Sequence, residues 1–173
     1  MKYMILLLAG FLLSCVSALA VEPDLKTPSP VIYLADNLDE NQNLGWCIDT
    51  VGRGYNDKLH AHSCKPQGGD VQFTFLEDTG QIQSVAFPDK CVTVIDQSNA
   101  QIPLGLEDCD IGEQAQQFVV TSDAGLIKLN LDDAICVGVG AQSRSAGPFM
   151  SRDLIIENCE NLSPERKQWM VRN

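Results

Sequence analysis

Residues 45–64 read GWCIDTVGRGYNDKLHAHSC, and the outline of this stretch returns twice more along the chain. An opening cysteine heads a short apolar or β-branched word: CIDT from Cys47, CVTV from Cys91, CVGV from Cys136. A second cysteine closes another: AHSC at Cys64, LEDC at Cys109, IENC at Cys159. An aromatic follows each, with Phe73 and Phe118 nine residues on and Trp169 ten, in the words VQF, QQF and KQW. The opening cysteines are 44 and 45 residues apart. T-G-Q-I at 79–82 and A-G-L-I at 124–127 follow the first two aromatics and read as a turn glycine leading into a strand.

Three copies of one unit therefore fill the chain. Short apolar words alternate with Gly, Asn and Asp turns, and no long segment keeps a helical period, so the reading is all-β. One unit cannot bury its own apolar face, and a three-fold repeat closes on itself. The repeat also chooses among the fifteen pairings open to six cysteines. Equivalent units favour Cys47 with Cys64, Cys91 with Cys109 and Cys136 with Cys159. Each short loop adds about 3 kcal/mol by the chain-entropy argument. Without a C-x-x-C pair, zinc ribbons and thioredoxin chemistry are disfavoured.

Outward from the repeats, the chain of 173 residues has room for one domain, at 31–173. It begins MKYMILLLAGFLLSCVSALA: a cation, a short apolar run, then small residues. One reading removes residues 1–20 as a secretory signal and places the protein outside the cell or in the periplasm. Leu12-Leu13-Ser14-Cys15 supports another, because it resembles the lipobox of bacterial lipoproteins, and lipidation at Cys15 would anchor the chain to a membrane. Residues 21–30, VEPDLKTPSP, read as an extended, unpacked Pro-rich leader. Net charge is −11, and losing Lys2 with the signal makes it −12. So acidic a chain repels phosphate backbones, and nucleic acid is not an expected partner.

The three units, each with C-[IV]-x-[TV], a second cysteine and a Q-x-[FW]-like closing word, resemble the ricin B-chain lectin family over residues 31–173. The resemblance implies a β-trefoil of twelve short strands, four per unit, about a pseudo-three-fold axis. It implies that Phe73, Phe118 and Trp169 are core residues, with Ile48, Val92 and Val137 near them. It also implies where sugar would bind. In that family a binding unit has an Asp two places after its first cysteine, to accept bonds from sugar hydroxyls. An aromatic two places before the second cysteine supports the C–H face of the ring, and a later polar residue adds a bond. The chemistry is sound in itself: a sugar has a polar rim and an apolar face.

The first unit comes nearest this pattern. Asp49 fills the acidic slot, His62 the platform slot and Asp70 the later polar slot, with His60 two places before the platform. Arg53, Tyr55 and Asn56 lie in the loop between, expected over the same pocket. His62 is a smaller platform than Trp or Tyr, and Val71 stands where the family has Gln. The second unit has Thr93 and Glu107 in the two slots, and the third has Gly138 and Glu157, so both read as retained for packing. The expected ligand site is then Asp49, His62, His60, Asn56 and Asp70, its partner a glycan or glycoconjugate, with no cofactor.

Other readings stay open beside this one. Asp49 also reads as a turn cap. His60-Ala61-His62 puts two imidazoles on one face of a strand, which with a nearby Asp admits a divalent metal. Glu107, Asp108 and Asp110 invite comparison with a paired-acid glycosidase, but a trefoil offers shallow pockets rather than a cleft. No serine has a nucleophile-elbow context, so no catalysis is expected. A protein-interaction trefoil, such as a toxin-delivery or inhibitor-like subunit, is the alternative function. The exported, acidic layout resembles that of the binding subunits of bacterial genotoxins. Asn161-Leu162-Ser163 matches a glycosylation acceptor but is followed by Pro164.

Overall fold

A computed structural model describes residues 20–96, 98 and 103–173. The signal and lipobox readings, Cys15 included, rest on residues 1–19 and lie outside the described residues. Among the described residues no helix is long and apolar enough to cross a membrane.

The described residues form twelve strands and two short 3-10 turns. The first unit holds β1 (Val31–Leu34), β2 (Trp46–Thr50), β3 (Leu59–Ser63) and β4 (Phe73–Leu76). The second holds β5 (Gln81–Ser84), β6 (Lys90–Val94), β7 (Leu104–Asp108) and β8 (Phe118–Val120). The third holds β9 (Ile127–Leu129), β10 (Asp132–Ala146), β11 (Phe149–Asn158) and β12 (Trp169–Arg172). All named pairings are antiparallel, and β1 pairs with β12, so the two ends of the domain meet. Bridge Lys58↔Gly105 ties the first unit to the second, and Leu126↔Gln168 joins the start of the third unit to its end.

The core is the inner face of all three units. Phe73, Phe118 and Trp169 are buried there with Ile48, Val92 and Val137, as the family resemblance implies. The closing aromatics also carry the joints between units. The Phe118 amide donates to Gly80 O at 2.7 Å, and the Trp169 amide donates to Gly125 O at 2.6 Å. Both glycines have positive φ, +71° and +61°, and a Cβ on Gly125 would lie 2.6 Å from the Trp169 carbonyl oxygen. Each turn therefore needs glycine for its backbone region and for the close approach. The three disulfides are Cys47–Cys64, Cys91–Cys109 and Cys136–Cys159.

Two features depart from a plain repeat. The leader is extended but not unpacked. Pro23 is buried against Gly45, and Leu25 packs on Val31, Cys47, Cys64 and Val71. Thr27 is also buried, and its hydroxyl donates to Lys65 O at 3.0 Å. Proline restricts φ and removes a donor, which prevents a ladder but not apolar contact. The first disulfide and Val71 leave apolar surface that the leader covers. The second departure is β10–β11, a hairpin far longer than its counterparts, whose β11 also pairs with β3 of the first unit.

Candidate functional site

In β2 the side chains alternate. Trp46 and Ile48 enter the core, while Cys47 and Asp49 take the other face. In β3, Leu59 and Ala61 enter the core, which turns His60 and His62 to the same outer face as Asp49. The register sets Asp49 opposite His60 and Cys47 opposite His62, so Asp49 is a direct neighbour of one imidazole and diagonal to the other. His60 Nε2 and His62 Nδ1 lie 3.8 and 3.7 Å from Asp49 Oδ2.

A residue that sequence reasoning missed completes the cluster. Lys65, directly after Cys64, places Nζ 2.8 Å from Asp49 Oδ2 and 2.8 Å from Asp70 Oδ1. The bond to Asp70 is a well-formed hydrogen bond; the contact with Asp49 is a close ion pair outside hydrogen-bond alignment. Asp49 is 1% exposed, and neither of its oxygens is reachable by solvent. To receive a sugar hydroxyl, Asp49 would have to release Lys65. Asp49 thus lies behind Lys65, and neither it nor Asp70 is among the residues that line the pocket.

The pocket has a volume of about 480 Å³ and is lined by Gly52, Arg53, His60, His62, Lys65 and the hairpin tip Ala146–Phe149. Phe149 meets the His62 ring edge-on at 5.7 Å between centroids. The hairpin tip is held against the first unit from behind. Gln42 donates to Pro148 O at 2.8 Å, and the Met150 amide donates to Ser63 Oγ at 3.0 Å. Arg152, 3% exposed, stacks over Trp46 at 4.7 Å, donates to Gly140 O at 2.6 Å and pairs with Asp39. A third-unit aromatic thus becomes a wall of a first-unit pocket.

Burial pushes the His62 imidazole below its ordinary value; the Ser63 carbonyl and Asp49 oppose this, while Lys65 and His60 add to it. His62 is neutral at pH 7, and its Nδ1–H donates to Ser63 O at 3.0 Å, leaving Nε2 as an acceptor. Burial also works to lower Lys65, but Asp49 and Asp70 outweigh it and hold the ammonium above its ordinary range. Lys65 is a permanent cation at neutral pH. Among the described residues no group of three His, Cys, Asp or Glu side chains is arranged to hold a metal ion.

Of the residues singled out in sequence, Asp49, His60, His62 and Asp70 gather here. Arg53 lines the pocket. Tyr55 and Asn56 do not. Tyr55 packs edge-on to Phe87 at 5.3 Å and its hydroxyl donates to Leu106 O at 3.3 Å, over the second unit. Asn56 Oδ1 accepts from the Lys58 amide at 2.9 Å, a local turn bond. Gly52 and Gly54, at φ +94° and +73°, turn the loop away after Arg53. The corresponding acceptor slots elsewhere are closed. The Thr93 hydroxyl is buried and donates to Cys91 O at 3.2 Å, and a side chain at Gly138 would meet Leu162 Cδ1 at 2.7 Å. A larger open groove of about 710 Å³ lies over the second unit, bordered by Tyr55, Asp57, Lys90, Glu107, Asp110 and Glu113.

Comparison with known proteins agrees with this architecture. The model of the ricin-type β-trefoil lectin domain matches residues 38–169. An agglutinin from Abrus precatorius has a similar structure at 15% identity and a TM-score of 0.59, covering 82% of this chain and 45% of the agglutinin chain. Chains of the cytolethal distending toxins of Actinobacillus actinomycetemcomitans and Haemophilus ducreyi match at 15% and 16% identity, both with a TM-score of 0.54. Those matches cover 83% and 89% of this chain and 91% and 88% of the toxin chains. This chain spans less than half of the agglutinin chain. No curated protein sequence matches it. At such identities the structural likeness speaks for the fold, while the family model speaks for descent and for carbohydrate binding in general. The chain belongs to the ricin-type β-trefoil lectin domain family.

Proposed function

We propose that this protein is an exported, non-catalytic carbohydrate-binding module whose site is the pocket between the first unit and the third-unit hairpin. One observation carries the reading: His60, His62 and Lys65 converge on one pocket with Phe149, in a member of a lectin family, while the acceptor positions of the other two units are closed by the Thr93 hydroxyl bonded to Cys91 O and by Leu162 against Gly138. Phe149 and His62 offer ring surface to a sugar's C–H face, and His62 Nε2 and Lys65 offer bonds to its polar rim. Asp49 and Asp70 set the position and charge of Lys65. A single shallow site binds weakly, so useful strength needs several copies presented together.

A glycan array on the disulfide-bonded protein, beside Phe149→Ala and His62→Ala, tests the assignment. Binding that both substitutions abolish supports it. Binding that survives both moves the site elsewhere, and no binding by a folded protein sinks the lectin reading.

The second reading is a protein-interaction trefoil. The open acidic groove of the second unit favours it, because Tyr55 stands 48% exposed at its edge and half of its lining residues are acids. Such a subunit would co-purify with a protein partner and resist displacement by excess sugar.

A further inference from the structure

The pocket's outward chemistry is unusual for a chain of net charge −11. No carboxylate lines it, and its charged members are Arg53 and Lys65. The acids that belong to the cluster lie behind Lys65, where Asp49 is sealed from solvent and Asp70 is bound to the same ammonium. Lys65 donates one N–H to Asp70 and holds Asp49 as a close ion pair, which leaves donor capacity for the pocket. Arg53 is exposed and has no ion-pair partner among the described residues. The ordinary logic of a sugar site is therefore inverted. A carboxylate that would accept from hydroxyls is capped by a cation that donates outward.

We infer that this pocket prefers a glycan carrying an anionic group, a carboxylate or a sulfate ester, over its neutral parent. The proposal rests on the sugar-binding reading above and adds the ligand's charge. The acidic group would take the free Lys65 N–H and the Arg53 guanidinium, whose paired donors suit a two-oxygen acceptor. The ring bearing it would lie against Phe149, with a hydroxyl donating to the neutral His62 Nε2. The pocket volume of about 480 Å³ suits a terminal sugar rather than an extended chain. Surface acids more than about 8 Å away are largely screened at physiological salt, and the two cations act within contact distance.

The test uses the disulfide-bonded protein and three glycan sets on one core: terminated by a carboxylated sugar, sulfated, and neutral. Binding is measured for the native chain, Arg53→Ala and Lys65→Met, with native-like circular dichroism required of each. The expected result is a preference for one charged set over the neutral parent of about tenfold, lost in both variants. The charged set that is bound identifies the acid. Equal or better binding of the neutral glycan overturns this inference and leaves the sugar-binding reading standing. Binding of no glycan by the folded native protein overturns both. A charged preference that survives both substitutions also overturns it, because the cations named here would not be its cause.

Discussion

Lys65→Met offers the sharpest test of the electrostatic core of the site. Methionine keeps the length and apolar stem of the side chain and removes its charge. The ammonium sits 2.8 Å from both Asp49 and Asp70, with 18% of the Lys65 side chain exposed and 1% of Asp49. Asp70 is 21% exposed and can turn to water, so losing that contact is nearly neutral. Asp49 cannot, and it would be left as an unpaired buried carboxylate. Removing one partner of a fully buried pair costs about 3–5 kcal/mol, and the partial exposure of Lys65 reduces this to about 2–3 kcal/mol. For a domain of this size that lowers Tm by about 4–12 °C. Urea unfolding at pH 7 measures it. The double variant Asp49→Asn with Lys65→Met removes both charges and should recover at least half of the loss, because no bare charge stays buried. A Lys65→Met protein within about 0.5 kcal/mol of native refutes the pairing. So does a double variant no more stable than the single one.

Three further outcomes follow from the same geometry. Burial holds His62 below its ordinary value, so the folded state disfavours its protonated form; the stability this contributes is complete above about pH 6.5 and is lost as pH falls through the lower folded value. His62→Gln should flatten the fall in urea midpoint between about pH 7.5 and 5, and an unchanged slope would refute the account. Gly125→Ala places a Cβ 2.6 Å from the Trp169 carbonyl oxygen at φ +61°, whereas Gly69→Ala meets no heavy atom within 4 Å, so unfolding curves should show the first losing at least about 2 kcal/mol more. Arg152→Met leaves Asp39 free in solvent but loses the stack on Trp46 and the bond to Gly140; it should cost about 1–3 kcal/mol and weaken glycan binding through the displaced Phe149 wall, read by titration against the native protein.

Much of the molecule is legible without coordinates because its signals are local or periodic. Cysteine spacing marks three units, and equivalent units must pair their cysteines alike. Alternation along a strand is enough to put His60 and His62 on one face, while the register that sets Asp49 across the ladder is seen only in the structure. That the closing aromatics are core residues comes from the family resemblance carried by the repeated words, and all three are buried in the core. Local signals fail where direction depends on a flexible turn. Tyr55 and Asn56 share a loop with Arg53, yet two positive-φ glycines send only Arg53 to the first pocket. The leader's prolines announce an extended chain but not the apolar patch waiting beneath it.

Lys65 and Phe149 mark the boundary most clearly. Lys65 is in plain view beside Cys64, but a cation after a cysteine carries no pattern; its meaning comes from two carboxylates brought within 2.8 Å of it. Phe149 lies 87 positions from His62, in a hairpin whose pairing with β3 has no sequence signature. Covalent closure and side-chain period are properties of neighbouring residues, so the order of residues determined the fold class, the disulfides and the face that carries the site. The charge the pocket shows to a ligand, and the ring that walls it, were decided by long-range packing, because both arise only when distant strands bury one another's surfaces.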